Sequence, residues 1–503
     1  MRDLALFEKK LTKQHHWLSV LPILIILGVI AMTLATSVKS GVQPRETLFD
    51  TYMRLDPRSV SPNDGFTPVV VMIDQESIER IGPWPWPRTA LAELVDSLHA
   101  AGARSVVVTV PVEGPDPLSP EVVGRYWFNR SGDNSAPVAD AVSRLPSNDI
   151  SLADALAETP GVVSLGRSIY ADLHSGQGWG RTEVANTDWL VVDDSNERTT
   201  EYLSLPISLP QGALSPRIAA NARVSVVALP ADPDGKLRRL PLIWSAYERP
   251  YPATALAAVL APGDTVTVVP HRSVVRSSGR NLTEVIIRDT PIHLDRQSAA
   301  TFYPPADTDV VTIPAWRILT GSQSWVSALD GNVAFIGESI SADAAVETPR
   351  GTMNRTQVQA LLADQLAAGV SVTRPEWAGF LEAGIALLLG VGAVLCALLL
   401  PWMAAALYSF ILSLVAFLVC WAVFSNSATL IDPSPAIIAM IGGQIGVALS
   451  RLVGSVLRDD AVRGAFHGSL PASTMVKLQR NRTPQLLDGQ RRQVTVMSCT
   501  VRL

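Results

Sequence analysis

Two long apolar regions constrain what this chain can fold into more than any other feature. Residues 17–37 read WLSVLPILIILGVIAMTLATS and carry no charge. A helix needs about 20 apolar residues to cross the hydrocarbon of a bilayer, so we expect this segment to span a membrane. A second region, residues 376–450, is interrupted at 400–402 and at 425–433, which divides it into three further spans. The sequence therefore predicts four transmembrane helices.

The charges beside these regions predict their orientation. Four cations, Arg2, Lys9, Lys10 and Lys13, precede the first span, and nine Lys or Arg against three acidic residues follow residue 450. Positive flanks stay in the cytoplasm, so residues 1–16 and both termini are predicted to be cytoplasmic and residues 38–375 to lie outside. A cleaved signal peptide is the competing interpretation of the first segment, but its apolar region would be only about 7–15 residues long.

The segment 38–375 is predicted to form an α/β domain with a mixed, partly parallel sheet. Strand-like apolar runs at 69–73, 105–110, 161–165, 223–229, 284–287 and 332–337 alternate with helical patterns at 89–101, 152–156 and 358–366. Strands separated by helices are typical of layered α/β folds. The segment contains no cysteine and has 28 Lys and Arg against 38 Asp and Glu, so a packed core must stabilise it and no nucleic-acid partner is expected.

One turn in this domain is a candidate ligand site. Asp74 ends the first strand and precedes the segment 83–88, PWPWPR, in which three prolines restrict φ around Trp84 and Trp86. Ligands bind at the carboxyl ends of strands in open α/β sheets, and Arg88 could pair with a carboxylate or phosphate. The alternative is a structural ion pair between Asp74 and Arg88. Residues 232–235, DPDG, are predicted to be a hairpin turn rather than a calcium site.

Longer stretches resemble a known family. VVVMIDQESIERIGPWPWPRTALAELVDSLHAAGARSVVV (69–108), LFDTYMRLDPR (48–58), ALPADPDGKLRRLPL (228–242) and NVAFIGESISADAAVETPRG (332–351) follow one another in the family's order. Segment 38–375 thus resembles the CHASE family of extracellular sensors, second class, which precede class III cyclases, histidine kinases and serine/threonine kinases. The sequence departs from the family at Thr109, where an aspartate is usual, and at RTQVQA (355–360).

The resemblance implies a transmembrane signal-transduction receptor in the bacterial inner (plasma) membrane, with the sensor domain periplasmic or extracellular. Its candidate ligand-binding residues are Asp74, Trp84, Trp86, Arg88 and Asp343. The expected partners are an unidentified small-molecule or envelope ligand, membrane lipid and, as the family implies, a second copy of the chain. Gly442 and Gly446 form a GxxxG step that could serve such a dimer or pack within the chain's own helices.

No complete catalytic domain is predicted in residues 451–503. Residues 451–485 are expected to form a cytoplasmic signalling helix and linker, and LLDGQRRQVTVM within 486–503 resembles the first strand of a class III nucleotide cyclase. In that alignment Thr500 occupies the position of a metal-binding aspartate. The sequence therefore predicts no catalytic residue, no metal site and no cofactor. The alternatives are a fragment of a membrane-bound adenylate cyclase and a structural envelope protein.

Overall fold

The computed structural model describes residues 16–36, 43–58, 66–112, 114–131, 136–159, 161–165, 189–192, 215–246, 249–261, 263–270, 282–295, 297–306, 310–322 and 324–465. The chain divides into two compact units. The α/β unit lies within Thr36–Ala378 and Leu418–Ser434, and the helical unit lies within Met1–Ala35, Gly379–Phe417 and Pro435–Leu503. Residues 418–434 thus belong to the α/β unit, although the sequence places them at the end of a membrane helix and in the loop that follows it.

The described helices, in chain order, are α1 (His16–Thr36), α2 (Gln43–Leu55), α3 (Gln75–Ile81), α4 (Arg88–Ala100), α5 (Pro120–Ser131), α6 (Ala136–Ser143), α7 (Asn148–Glu158), α8 (Pro216–Asn221), α9 (Thr254–Val259), α10 (Ala315–Leu319), α11 (Val326–Leu329), α12 (Arg355–Ala367), α13 (Ala378–Leu399), α14 (Trp402–Ser427) and α15 (Ser434–Ala465).

The described strands are β1 (Pro68–Ile73), β2 (Ser105–Val108), β3 (Gly161–Leu165), β4 (Leu190–Val192), β5 (Arg223–Val226), β6 (Arg239–Pro241), β7 (Ile243–Ala246), β8 (Arg249–Pro252), β9 (Val266–Pro270), β10 (Leu282–Ile287), β11 (Thr290–His293), β12 (Ala299–Thr301), β13 (Thr312–Pro314), β14 (Val333–Glu338), β15 (Ala345–Thr348) and β16 (Gly351–Asn354).

A six-stranded parallel sheet forms the centre of the α/β unit. Its order is β13-β1-β14-β2-β3-β5, and each neighbouring pair is parallel. β1 reads PVVVMI and is buried at every position, as expected for a strand covered on both faces. A second sheet, β11-β10-β9-β4, contains antiparallel pairs and one parallel pair. The predicted α/β class with a partly parallel sheet is therefore confirmed.

Alternate residues of β1 enter two different cores, since successive side chains of a strand point to opposite faces. Val69, Val71 and Ile73 pack with apolar residues of α4 and α7. Val70 and Met72 pack with α9 and α12. Helices thus cover both faces of the sheet.

Residues 232–235 form the predicted turn. The Gly235 amide donates to the Asp232 carbonyl at 2.8 Å, and Gly235 has φ +83°. The two aspartates of the turn also bind cations that follow it: Arg238 lies 2.9 Å from Asp232 and 2.7 Å from Asp234. The hydrogen bond from Arg238 holds the pKa of Asp234 at about 2. The turn therefore orients two carboxylates toward arginine.

These residues extend into an ionic cluster that joins the turn to α2. Arg238 also lies 2.7 Å from Asp50, and Arg239 lies 2.5 Å from Glu46. We call Glu46, Asp50, Asp232, Asp234, Arg238 and Arg239 the ionic cluster. Glu46, Asp50 and Arg238 are each at most 4% exposed. Their burial makes every partner necessary, because an uncompensated buried charge is costly.

Among the described helices, α13, α14 and α15 are long and apolar enough to cross a membrane. The first helix, α1, contributes a shorter apolar stretch, Val20–Thr36, so the fourth predicted span stays a prediction. α15 continues without interruption to Ala465, which includes the start of the predicted signalling helix. Residues 466–503, with Thr500 and the cyclase-like segment, lie outside the described residues.

The GxxxG step packs within the chain. A Cβ added at Gly442 would lie 2.8 Å from Ile25, and one at Gly446 would lie 3.0 Å from the backbone of Pro22. The two glycines thus let α15 approach α1 closely, as small residues do between membrane helices. Of the two interpretations of this motif, the intrachain one is found.

Candidate functional site

A cleft opens at the carboxyl edge of the parallel sheet. β1, β14 and β2 are neighbours and run in the same direction, so the segments that follow Ile73, Glu338 and Val108 meet at one edge. The space between its walls is about 420 Å³, which includes the open solvent at its mouth. Its polar lining residues are Thr109, Glu338, Ser341, Asp343, Arg355 and Thr356.

The loop after β14 forms one wall of the cleft. The carboxylate of Glu338 accepts hydrogen bonds from the amides of Ile340 and Ser341, at 2.9 and 2.8 Å, and from the Ser341 hydroxyl. These three bonds turn the chain back over the end of its own strand. Ser341 and Asp343 are thereby held at the rim.

The first turn of α12 forms the opposite wall. Asn354 caps the helix and forms a capping box with Gln357, which fixes where the helix begins and places Arg355 and Thr356 in its first turn. The Thr109 hydroxyl donates to the carbonyl of Ile336 at 2.9 Å, so the Thr356 hydroxyl, 2.9 Å away, donates to Thr109. Two hydroxyl groups thus join β2, β14 and α12 at the base of the cleft.

Gly337 permits this close approach of strand and helix. An added Cβ would lie 2.0 Å from Oγ1 of Thr356. We expect Gly337→Ala to destabilise the chain by about 1–3 kcal/mol, the usual cost of overpacking a tight core, as measured by denaturant unfolding of the detergent-solubilised chain. Gly384→Ala is the control, since a Cβ there meets nothing within 4 Å. Equal stability of the two variants would contradict the packing described.

The cleft combines hydroxyl groups, two carboxylates and one guanidinium around a partly apolar floor that includes Val227. These groups can donate and accept hydrogen bonds and can pair with charge of either sign. Among the residues that line the cleft there is no histidine or cysteine. In the described ranges, no group of three His, Cys, Asp or Glu residues is placed to hold a metal ion.

Of the five candidate residues from the sequence, Asp343 lies at this cleft. Asp74 lies at the same edge of the sheet, but its carboxylate caps α3 by accepting from the amide and hydroxyl of Ser77 at 2.8 and 2.7 Å. Its role as a ligand contact stays a prediction.

Trp84, Trp86 and Arg88 make internal contacts. The two indole rings meet edge to face at 5.8 Å, and Nε1 of the buried Trp86 donates to the Gly82 carbonyl at 2.8 Å. Arg88, 6% exposed, pairs with Asp149 at 2.5 Å and donates to the carbonyls of Val112 and Gly114. The alternative of an Asp74–Arg88 ion pair is therefore wrong: Arg88 opens α4 and reaches α7 instead.

Sequence reasoning missed most of the cleft residues as site residues. Thr109 and the segment 355–360 did stand out, as the two departures from the family pattern, and in the structure they meet through the Thr109–Thr356 contact. Glu338 and Ser341 fall within the family-like segment 332–351. Their convergence depends on strand order, and β14 lies between β1 and β2 although it follows them in the chain by more than 220 residues.

The described residues thus contain a parallel sheet with a polar cleft at its carboxyl edge and three helices long and apolar enough to cross a membrane. The chain belongs to the CHASE2 domain family, whose model matches residues 24–399. No curated protein and no solved structure matches it. The predicted second class of the CHASE family is confirmed.

The CHASE2 domain is an extracellular sensor of signal transduction. The match ends at residue 399, so the resemblance of the tail to a class III cyclase stays a prediction. The predicted domain boundaries, the orientation of the termini and the partners likewise stay predictions.

Proposed function

We propose that the chain is a transmembrane receptor of the bacterial inner membrane that binds an extracytoplasmic small molecule in the cleft between β14, β2 and α12. The observation that carries the proposal is the cleft itself. It lies where ligands bind in open α/β sheets, beyond the carboxyl ends of parallel strands, and polar groups from three separate segments converge on it.

The lining favours a small polar ligand. The cleft is open to solvent, and its polar lining suits a small molecule rather than a folded protein partner. Arg355 can form an ion pair with a carboxylate or phosphate of a ligand. Asp343 and the hydroxyl groups of the cleft can form hydrogen bonds with amino or hydroxyl groups of a ligand. A ligand with several hydrogen-bonding groups fits this set better than an apolar one.

The receptor passes the stimulus to a cytoplasmic output. Both termini lie in the cytoplasm in this proposal, as the cationic flanks of the apolar segments favour. Two copies of the chain associate in the lipid bilayer, as in the family, and nucleic acid is not a partner.

A cleft-blocking variant tests the proposal. Ser341→Trp places an indole at the rim of the cleft, while Ser339→Trp places one at an exposed position two residues earlier that does not line it. Each full-length chain is purified in native-lipid nanodiscs, and the co-purifying small molecules are identified by mass spectrometry.

We expect the wild type and Ser339→Trp to retain the same compound and Ser341→Trp to lose it by at least about tenfold, which corresponds to 1.4 kcal/mol of binding free energy. Retention of that compound by Ser341→Trp at the wild-type level would contradict the assignment of the cleft.

A further inference from the structure

The end of α14 is packed into the α/β unit by an aromatic contact. Phe424 is 1% exposed. Its ring stacks on Tyr52 of α2 at 5.8 Å and meets Tyr303 edge to face at 5.4 Å. Aromatic pairs at these distances are favourable beyond the area they bury, so the last turns of α14 are held at a defined position in this unit.

The loop after α14 is held as well. The amide of Thr373 donates to the Ala428 carbonyl at 3.0 Å, and the amide of Leu430 donates to the Thr373 carbonyl at 2.8 Å. These bonds form a parallel bridge between Thr373 and Thr429. The segment 418–434 therefore joins the α/β unit through both side chains and backbone.

The C-terminal part of α12 contacts Tyr303, one of the two aromatic residues that pack on Phe424. Gln365, 1% exposed, accepts from the amide of Tyr303 at 2.8 Å and donates to the carbonyls of Thr301 and Val370 at 2.9 and 3.2 Å. One residue earlier, Asp364 pairs with the buried Arg58 at 2.5 Å. The position of Tyr303, and with it one side of the Phe424 ring, follows the position of α12.

The N-terminal part of the same helix lines the cleft through Arg355 and Thr356. In the middle of the helix, Gln359 donates to the carbonyl of Val227, which also lines the cleft, and accepts from the amide of Ala255. The helix has 13 residues and is therefore about 20 Å long. Packed helices shift as rigid bodies by about 1–2 Å in switching proteins, so a displacement at one end of α12 reaches the other.

We infer that α12 is the transmission element of this receptor: a ligand in the cleft displaces the first turn of α12, and the displacement reaches the end of α14 through Gln365, Tyr303 and Phe424. The stimulus then leaves the α/β unit through α14. In the sequence, residues 38–375 are flanked by α1 and α13, so α14 is not one of the two helices that adjoin them. This inference rests on the proposed function only in taking the cleft as the ligand site.

Hydrogen exchange of the full chain in nanodiscs tests the coupling without a ligand. Phe424→Leu keeps an apolar side chain but removes the ring contacts, and Phe424→Ala removes most of the side chain. Because coupling between sites is reciprocal, weakening the packing of Phe424 should make local opening of the cleft residues more frequent. We expect the amides of residues 338–357 to exchange at least about fivefold faster in both variants, the lower end of typical coupling, while β3 amides exchange as in the wild type.

Val419→Ala is the matched control, because Val419 is on the same helix and 56% exposed; its cleft amides should exchange at the wild-type rate. Wild-type exchange of residues 338–357 in Phe424→Leu would overturn the transmission through α12. Faster exchange there, combined with retention of the co-purified compound by Ser341→Trp, would instead leave the coupling in place and refute the ligand site.

Discussion

Replacing Arg238 by alanine should destabilise the α/β unit by about 3–5 kcal/mol, the cost of removing one partner from a buried ion-pair network. Arg238 is 3% exposed and bonds to three carboxylates, those of Asp50, Asp232 and Asp234. Without the guanidinium, the buried Asp50 keeps the partly exposed Lys236 as a cationic partner and Asp232 keeps Arg239. Asp50 loses its two hydrogen bonds from Arg238, and this loss at a buried carboxylate favours the unfolded chain.

Thermal unfolding of the detergent-solubilised chain measures this effect, and we expect the midpoint to fall by about 5–10 °C. Arg144→Ala is the control. Arg144 also pairs with an aspartate, Asp140, but its side chain is 76% exposed, and exposed pairs contribute at most about 1 kcal/mol. A midpoint for Arg238→Ala as high as that of Arg144→Ala would refute the role of the ionic cluster.

Arg88→Ala is expected to have a second large effect on folding. Its guanidinium joins α4 to Asp149 of α7 and to the carbonyls of Val112 and Gly114, and its backbone amide donates to Asp116 at 2.8 Å. Substitution leaves the buried carboxylate of Asp149, the buried carbonyl of Val112 and the partly buried carbonyl of Gly114 without these donors. We therefore expect a loss of about 3–5 kcal/mol in the free energy of unfolding.

The sequence alone left two roles for Arg88 open, a ligand contact and a structural ion pair. A ligand-contacting Arg88 at the surface would give Arg88→Ala a wild-type unfolding midpoint and a lost response. Comparison with Asp149→Asn separates the two: if Arg88 serves the fold, both variants should be destabilised and the double variant should lose less than the sum of the two. A wild-type midpoint for Arg88→Ala would restore the ligand-contact interpretation.

β1 was predictable because a strand that is buried on both faces favours a continuous apolar run. Segments 69–73 and 161–165 coincide with β1 and β3 to within one residue. The runs at 105–110 and 223–229 continue past the ends of β2 and β5, at Val108 and Val226. Apolar composition persists there because Val110, Val112 and Ala228 remain buried in the core after the strand has ended.

The site was less predictable, since its residues are brought together by strand order and by loops. Nothing in the segment 83–88 indicates that Arg88 pairs with a residue 61 positions away rather than with the nearby Asp74. Likewise, Asp50 and Arg238 are separated by 188 positions. Charge pairing at such separations is set by the tertiary fold. Neither the hydrophobic periodicity of the sequence nor its secondary-structure propensity predicts it.

The contact between α1 and α15 changes what the first helix must supply. A segment that only tethers a protein to lipid can be exchanged for any other of similar length and hydrophobicity. Here Pro22 and Ile25 lie against Gly446 and Gly442, so the shape of α1 matters as well as its hydrophobicity. The side chains on this face of α1 are therefore as sterically constrained as those of a folded interior.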